Sequence, residues 1–174
     1  MEKNKAGRKC LVLSMKGKLL VSIALGIILC LVVGYLEGQV TQMSVNTWYA
    51  TLEKPFFTPP DWLFAPVWTM LYLLMGIAVG RVWYFGKDYK WGKTAIYYFC
   101  YQLLVNALWS TAFFWLRNPI ASLAVILLLL FLIVKTLQQF SGIDVWATRL
   151  LYPYLIWVFF ATLLNIGIVI LNFL

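Results

Sequence analysis

Uncharged apolar runs alternate with short charged connections along the chain. The runs cover residues 19–36 (LLVSIALGIILCLVVGYL), 62–80, 94–116, 118–134 and 150–174, with lengths of 18, 19, 23, 17 and 25 residues. A bilayer-crossing helix needs about 20 mainly apolar residues, within a range of about 17–25. Lipid offers the backbone no partners, so each run must close its hydrogen bonds internally, as a helix does. Strands of an outer-membrane barrel would alternate polar and apolar positions, and residues 123–134 (LAVILLLLFLIV) do not. The pattern predicts an all-α integral membrane protein, a five-transmembrane-helix bundle. Its helices are expected at about 19–37, 62–83, 94–116, 118–137 and 147–172, in a domain over 19–174 that follows a basic tail over 1–18. No small-x-small site follows the first run, where residues 35–40 read YLEGQV, so it is read as a retained span rather than a cleaved signal.

The connections carry the charge and sort it by side. Twelve of the fourteen Lys and Arg fall before the first run or in the second and fourth connections; only Lys54 and Arg117 fall in the first and third. Basic residues stay preferentially in the cytoplasm. The expectation is a multi-pass protein of the cell membrane, if the source is prokaryotic, with its N-terminus cytoplasmic and its C-terminus outside. The same sorting accounts for the net charge of +8 without a nucleic-acid partner. The long first connection holds Pro55, Pro59 and Pro60, which oppose a regular helix. Residues 45–52 within it suit a short interfacial helix, and the connection as a whole suits a cap over one end of the bundle. Around Arg117-Asn118-Pro119 the chain must turn tightly, making helices three and four an antiparallel hairpin.

Composition supports lipid as the solvent. Hydrophobic residues make up 63% of the 174 and charged residues 11%, against about 45–50% and about 25% in soluble domains. A chain this short cannot hide that much apolar surface from water. The absence of His excludes His-ligated zinc or haem and every Ser-His or Cys-His catalytic pair. Cys10, Cys30 and Cys100 lack metal-site spacing, and the last two read as packing residues. No cofactor is required by any motif. Glu37, Arg81, Arg117, Lys135 and Arg149 are all expected at span ends, leaving no charge at mid-span. That argues against an ion-coupled pump.

Polar and aromatic residues inside the spans mark where chemistry can sit. Gln102, Asn106, Trp109 and Phe113 share one helical face, as do Phe64, Trp68 and Tyr72, and Pro153, Trp157, Ala161 and Leu164 or Asn165. Each stripe reads either as helix–helix packing or as the wall of a ligand cavity. Gly26, Cys30 and Gly34 form a small-residue face for close helix contact.

Four ordered blocks carry a family resemblance: Trp48, Tyr49, Leu52, Lys54, Pro55, Thr58, Pro59 and Pro60; Phe64, Pro66, Val67, Trp68, Thr69, Leu71 and Tyr72; Gln102, Leu103, Asn106, Trp109, Ser110, Phe113 and Phe114; and Pro153, Tyr154, Leu155, Trp157, Val158, Phe160, Ala161, Leu164 and Asn165. Over roughly residues 19–172 the chain resembles the TspO/MBR family, the tryptophan-rich sensory proteins related to the mitochondrial translocator protein or peripheral benzodiazepine receptor. The resemblance implies a five-helix bundle, often a homodimer, with a pocket beneath the first connection. It implies porphyrin ligands such as protoporphyrin IX or haem. Trp68 and Trp157 would donate indole N–H bonds to a ligand carbonyl, and Tyr49, Pro59, Phe64, Tyr72, Asn106, Trp109, Phe113, Ala161 and Leu164 would line the pocket. The leading function is a membrane receptor or sensory protein for porphyrins or similar hydrophobic aromatic molecules, in tetrapyrrole regulation or transport. The alternatives are a light- and oxygen-dependent porphyrin-degrading enzyme and a passive small-molecule carrier. Two departures stand out. Phe57 occupies a position where the family often has Trp, and residues 166–174 lack the Tyr and basic residue of the animal cholesterol motif.

Overall fold

The computed structural model describes the backbone of residues 2–174 and the side chains of residues 15–174. The side chains of Lys3, Lys5, Arg8, Lys9 and Cys10, within the expected basic tail, lie outside the described residues. Six helices follow in order: α1 (Glu2–Val45), α2 (Trp48–Thr51), α3 (Phe64–Gly86), α4 (Lys90–Ser110), α5 (Pro119–Ser141) and α6 (Val145–Phe173). A 3-10 turn over Asp61–Leu63 leads into α3, and a π-helical turn over Thr111–Trp115 ends α4.

Four of these helical segments are long and apolar enough to cross a membrane: Met15–Val45, Asp61–Gly86, Pro119–Ser141 and Val145–Phe173. The protein is therefore an all-α, multi-pass integral membrane protein. The helix α4, which corresponds to the run 94–116, has the length, but Tyr97, Tyr98, Tyr101, Gln102 and Asn106 dilute its apolar character. Of these, Gln102 and Asn106 face inward and are fully buried, whereas Tyr97 and Tyr101 are exposed. Large apolar side chains such as Leu25, Ile28, Phe131 and Ile156 point outward, the arrangement expected of lipid-facing surface.

A close helix approach joins α1 to α3. A Cβ on Gly76 would strike the backbone of Gly26 and Ile27, and one on Gly80 would strike that of Ser22 and Ile23. Gly34 is pressed by the Tyr72 ring. Small residues allow such contact, and in lipid close packing is a main source of helix association. The small-residue face of the first run is thus a packing face, and Cys30 on it is fully buried.

Two caps fix the turns. Arg117 takes a positive φ of 52°, uncommon for a residue other than glycine. Asn118 then accepts the Ala121 N–H at 3.0 Å and Pro119 opens α5, the residue order a helix start favours. This tight reversal lays α5 against α4. Asp144 starts α6 by accepting the Trp146 N–H at 2.8 Å. Its other oxygen accepts from Arg81 Nε at 2.7 Å, tying α3 to α6.

The first connection is shorter than the sequence pattern suggests. The helix α1 does not stop near residue 37 but continues to Val45. Beyond it, α2 lies within the expected 45–52 segment. The proline-bearing stretch is pinned to the end of α6. Glu53 N–H donates to Asn172 Oδ1 at 3.0 Å, Asn172 Nδ2 donates back to Glu53 O at 2.9 Å, and Pro55 packs on Gly167.

Candidate functional site: an aromatic cavity beside α1

A cavity of about 450 Å³ lies between α1, α3 and α4, beneath α2. Its aromatic wall follows from helical spacing. Phe64, Trp68 and Tyr72 recur every four residues on α3 and face Trp109 of α4. The Trp68 ring centroid lies 5.8 Å from Tyr72, 6.2 Å from Trp109 and 6.4 Å from Tyr154. Trp109 continues the series to Phe113 at 6.0 Å. Tyr49 closes the top from α2, its ring 5.8 Å from Phe114 and 6.1 Å from Phe113.

The polar groups come chiefly from α1, as Glu37, Gln39, Thr41 and Gln42, and otherwise from Asp61, Thr69 and Ser110. Asn106 Nδ2 donates to the Tyr72 hydroxyl at 2.7 Å and to Glu37 Oε2 at 3.2 Å. The second Glu37 oxygen, Asn106 Oδ1 and the Trp109 indole nitrogen are buried without a protein partner. Thr41 and Ser110 share a hydrogen bond of 3.3 Å across α1 and α4. Ser44 Oγ donates to the Phe114 carbonyl at 2.6 Å. That bond joins α1 to the π-helical turn, a local widening often found at functional sites. At the mouth, Lys54 Nζ sits 3.8 Å from Asp61 Oδ1 and 4.1 Å from the centre of the Tyr49 ring. Burial, and after it the nearby Asp61 carboxylate, pushes the Tyr49 phenol up to about 12.

The expected site residues divide into three groups. Tyr49, Phe64, Trp68, Tyr72 and Trp109 wall the main cavity. Phe113, Ala161 and Leu164 instead line a second hollow of about 30 Å³ against α6, with Tyr49, Phe64 and Trp109 between the two. Pro59, Asn106 and Trp157 wall neither. Asn106 sits behind Tyr72 and orients it. Trp157 packs between Phe64 and Phe160, at 5.9 and 5.6 Å, with its buried indole nitrogen unpartnered. Trp68 and Trp157 are therefore not paired across the main cavity.

The helix missing from the sequence-based site is α1, which supplies Gly34, Glu37, Gly38, Thr41 and Val45 to the wall. Glu37 was expected at a span end. It stands instead within α1, eight residues before the helix stops, and faces the bundle interior. The missed signal was the small and polar face at 34, 37, 38, 41 and 44, which keeps helical spacing past the last apolar residue. Among the described residues, no group of three or more His, Cys, Asp or Glu could hold a metal ion.

These features define a class: a multi-pass helical membrane protein with an aromatic hollow inside its bundle. A family model described as TspO/MBR matches residues 26–171, and the chain belongs to that family. It is 41% identical to the tryptophan-rich protein TspO of Chlorobaculum tepidum over 155 residues, covering 89% of this chain and 98% of that protein. It is 43% identical to the protein of the same name from Archaeoglobus fulgidus over 148 residues, covering 84% and 94%. The translocator protein of Bos taurus is 35% identical over 133 residues, covering 76% and 79%.

Proposed function

We propose that this protein is a membrane receptor or sensory protein that binds porphyrins such as protoporphyrin IX or haem, or a similarly flat hydrophobic molecule, in the cavity beside α1. The carrying observation is the wall itself: Phe64, Trp68, Tyr72 and Trp109 form the aromatic side of a cavity of about 450 Å³, and α1 faces them with Glu37, Gln39, Thr41 and Gln42. Small-molecule pockets span about 300–1,000 Å³ and combine apolar rings with sparse polar handles. Rings present large area at low conformational cost, which suits a planar aromatic ligand. Free and metallated porphyrins alike would be held by these ring contacts, with the Trp109 N–H as a donor to a ligand acceptor. At the mouth, Lys54 offers a cation to a ligand carboxylate.

Titration of protoporphyrin IX into protein in detergent micelles, read by absorption-corrected tryptophan fluorescence, tests this reading. Saturable quenching that weakens in Trp68→Ala is the expected result. Linear quenching that is identical in both proteins rejects it.

The same reading counts α4 as the fifth span, which puts the termini on opposite sides, and the basic residues then favour a cytoplasmic N-terminus and an outside C-terminus. A C-terminal reporter fusion that reads as cytoplasmic rejects that orientation. Mass measurement in detergent tests the homodimer implied by the family.

A further inference from the structure

The cavity holds a feature that a purely apolar pocket does not need. Glu37 projects into it from α1, and Asp61 stands at its rim. Among the described residues, no Lys or Arg contributes to the wall. One Glu37 oxygen is engaged by Asn106 at 3.2 Å, and Tyr72 also faces the carboxylate. The other oxygen is buried with no partner. Asn106 is fully buried and Tyr72 nearly so, so the groups that orient the carboxylate are fixed. Beside it, Trp109, 9% exposed, leaves its own indole nitrogen unpartnered. A buried acceptor with an empty coordination position costs free energy until a donor meets it. Among the described residues, none is placed to donate to that oxygen.

We infer that the cavity selects hydrophobic aromatic molecules bearing a protonated amine, whose N–H donates to the free Glu37 oxygen while the ring system lies against Trp68 and Trp109. A cationic amine satisfies both needs of the carboxylate, a donor and a countercharge. The neighbouring indole and phenol faces add attraction for a cation. This inference rests on the proposed use of the cavity as a ligand site, and it names a ligand class for that site distinct from the porphyrins.

A matched pair of fluorophores tests it: 9-(methylaminomethyl)anthracene, a cation, and 9-(methoxymethyl)anthracene, its neutral counterpart of nearly equal shape. Binding is followed by energy transfer from tryptophan in a non-ionic detergent. The wild-type protein is expected to bind the amine about tenfold or more tightly than the ether, the scale of one charge-assisted hydrogen bond. Glu37→Gln, which keeps the shape and removes the charge, is expected to abolish that preference, so that the amine and the ether bind the variant with equal affinity. Equal wild-type affinities, no binding of either probe, or a preference that survives in Glu37→Gln each overturns the inference. The wild-type comparison alone decides the matter if the variant fails to fold. A protoporphyrin IX titration on the same preparation separates the two readings. Porphyrin binding without amine selectivity removes only this inference; amine selectivity without porphyrin binding supports it and removes the porphyrin reading.

Discussion

Asn106 donates to the Tyr72 hydroxyl at 2.7 Å and to the Glu37 carboxylate at 3.2 Å, so one amide links α1, α3 and α4. Asn106 and Tyr72 are buried, so a partner left behind there is poorly placed to turn to water. Replacing Asn106 with Leu leaves the carboxylate and the phenol short of a donor. The expected cost is about 1–3 kcal/mol, seen as a lower thermal midpoint in detergent by circular dichroism. Asn106→Asp cannot rescue it, because it sets a second carboxylate beside Glu37. A Leu variant as stable as the wild type would show that the network carries no stability.

The α1–α3 crossing makes a sharper demand. Gly76 and Gly80 leave no room for a side chain, since their Cβ positions run into opposing backbone rather than flexible side chains. Gly76→Leu is expected to destabilise by about 1–3 kcal/mol or more, as overpacking does. Because α1 forms one side of the cavity, ligand affinity falls with it. Gly17→Ala is the control: nothing lies within 4 Å of a Cβ there, and stability is expected to hold or rise by up to about 1 kcal/mol. Equal melting of the two variants would contradict the close approach.

The contrast between α1 and α3 shows what the sequence could and could not convey. The four-residue spacing of Phe64, Trp68 and Tyr72 is a local property, and the structure keeps it as one wall. The hairpin at Asn118-Pro119 was equally legible, because capping and proline chemistry act within a few residues. The end of α1 was not. A charged residue after eighteen apolar ones looks like a span boundary, and only the partners on α3 and α4 make Glu37 an interior residue. The placement of Trp157 was not legible for the opposite reason. Its helical position is regular, but Phe64 stands between it and the main cavity, and no spacing rule reports what another helix interposes.

Asp144 performs two tasks that substitution can separate. One oxygen caps α6 at the Trp146 N–H, 2.8 Å away, and the other meets Arg81 Nε at 2.7 Å. Asn at this position still caps a helix but gives up the charge. The expected order of thermal stability is wild type, then Asp144→Asn, then Asp144→Ala. Loss of the cap alone accounts for about 0.5–2 kcal/mol of the last step. Indistinguishable Asn and Ala variants would mean that the cap contributes nothing here.

Tyr49 gives the mouth of the cavity a pH signature. Its phenol is pushed up to about 12, chiefly by burial and secondarily by Asp61, whereas an unfolded tyrosine titrates near 10. Between those values the folded state binds the proton that the unfolded state has released. The contribution is therefore fully present below about pH 10 and is lost as the pH climbs towards 12. The difference in tyrosinate absorbance between wild type and Tyr49→Phe should show a transition displaced to that upper range. The alkaline loss of stability should also be shallower in Tyr49→Phe. A difference transition at the ordinary tyrosine value would place Tyr49 in water.

The positions of three tryptophans set a ranking of ligand effects. Trp68 and Trp109 wall the main cavity, their rings 6.2 Å apart, and the buried Trp109 indole nitrogen has no protein partner. Trp157 lies behind Phe64. Conversion to Phe preserves a ring and removes the N–H, so the variants isolate donor loss from gross repacking. For a porphyrin seated beside α1, Trp109→Phe should weaken binding by about tenfold, near the worth of one buried hydrogen bond. Trp68→Phe should weaken it through reduced ring area, whereas Trp157→Phe should leave it within about twofold, as expected for a group that makes no ligand contact. Tetrapyrrole absorbance titrations on the three variants measure this without relying on tryptophan emission. If Trp157→Phe were the most damaging, the seat beside α1 would be rejected, because Trp157 walls neither hollow and Phe64 would have to swing aside to bring a ligand to it.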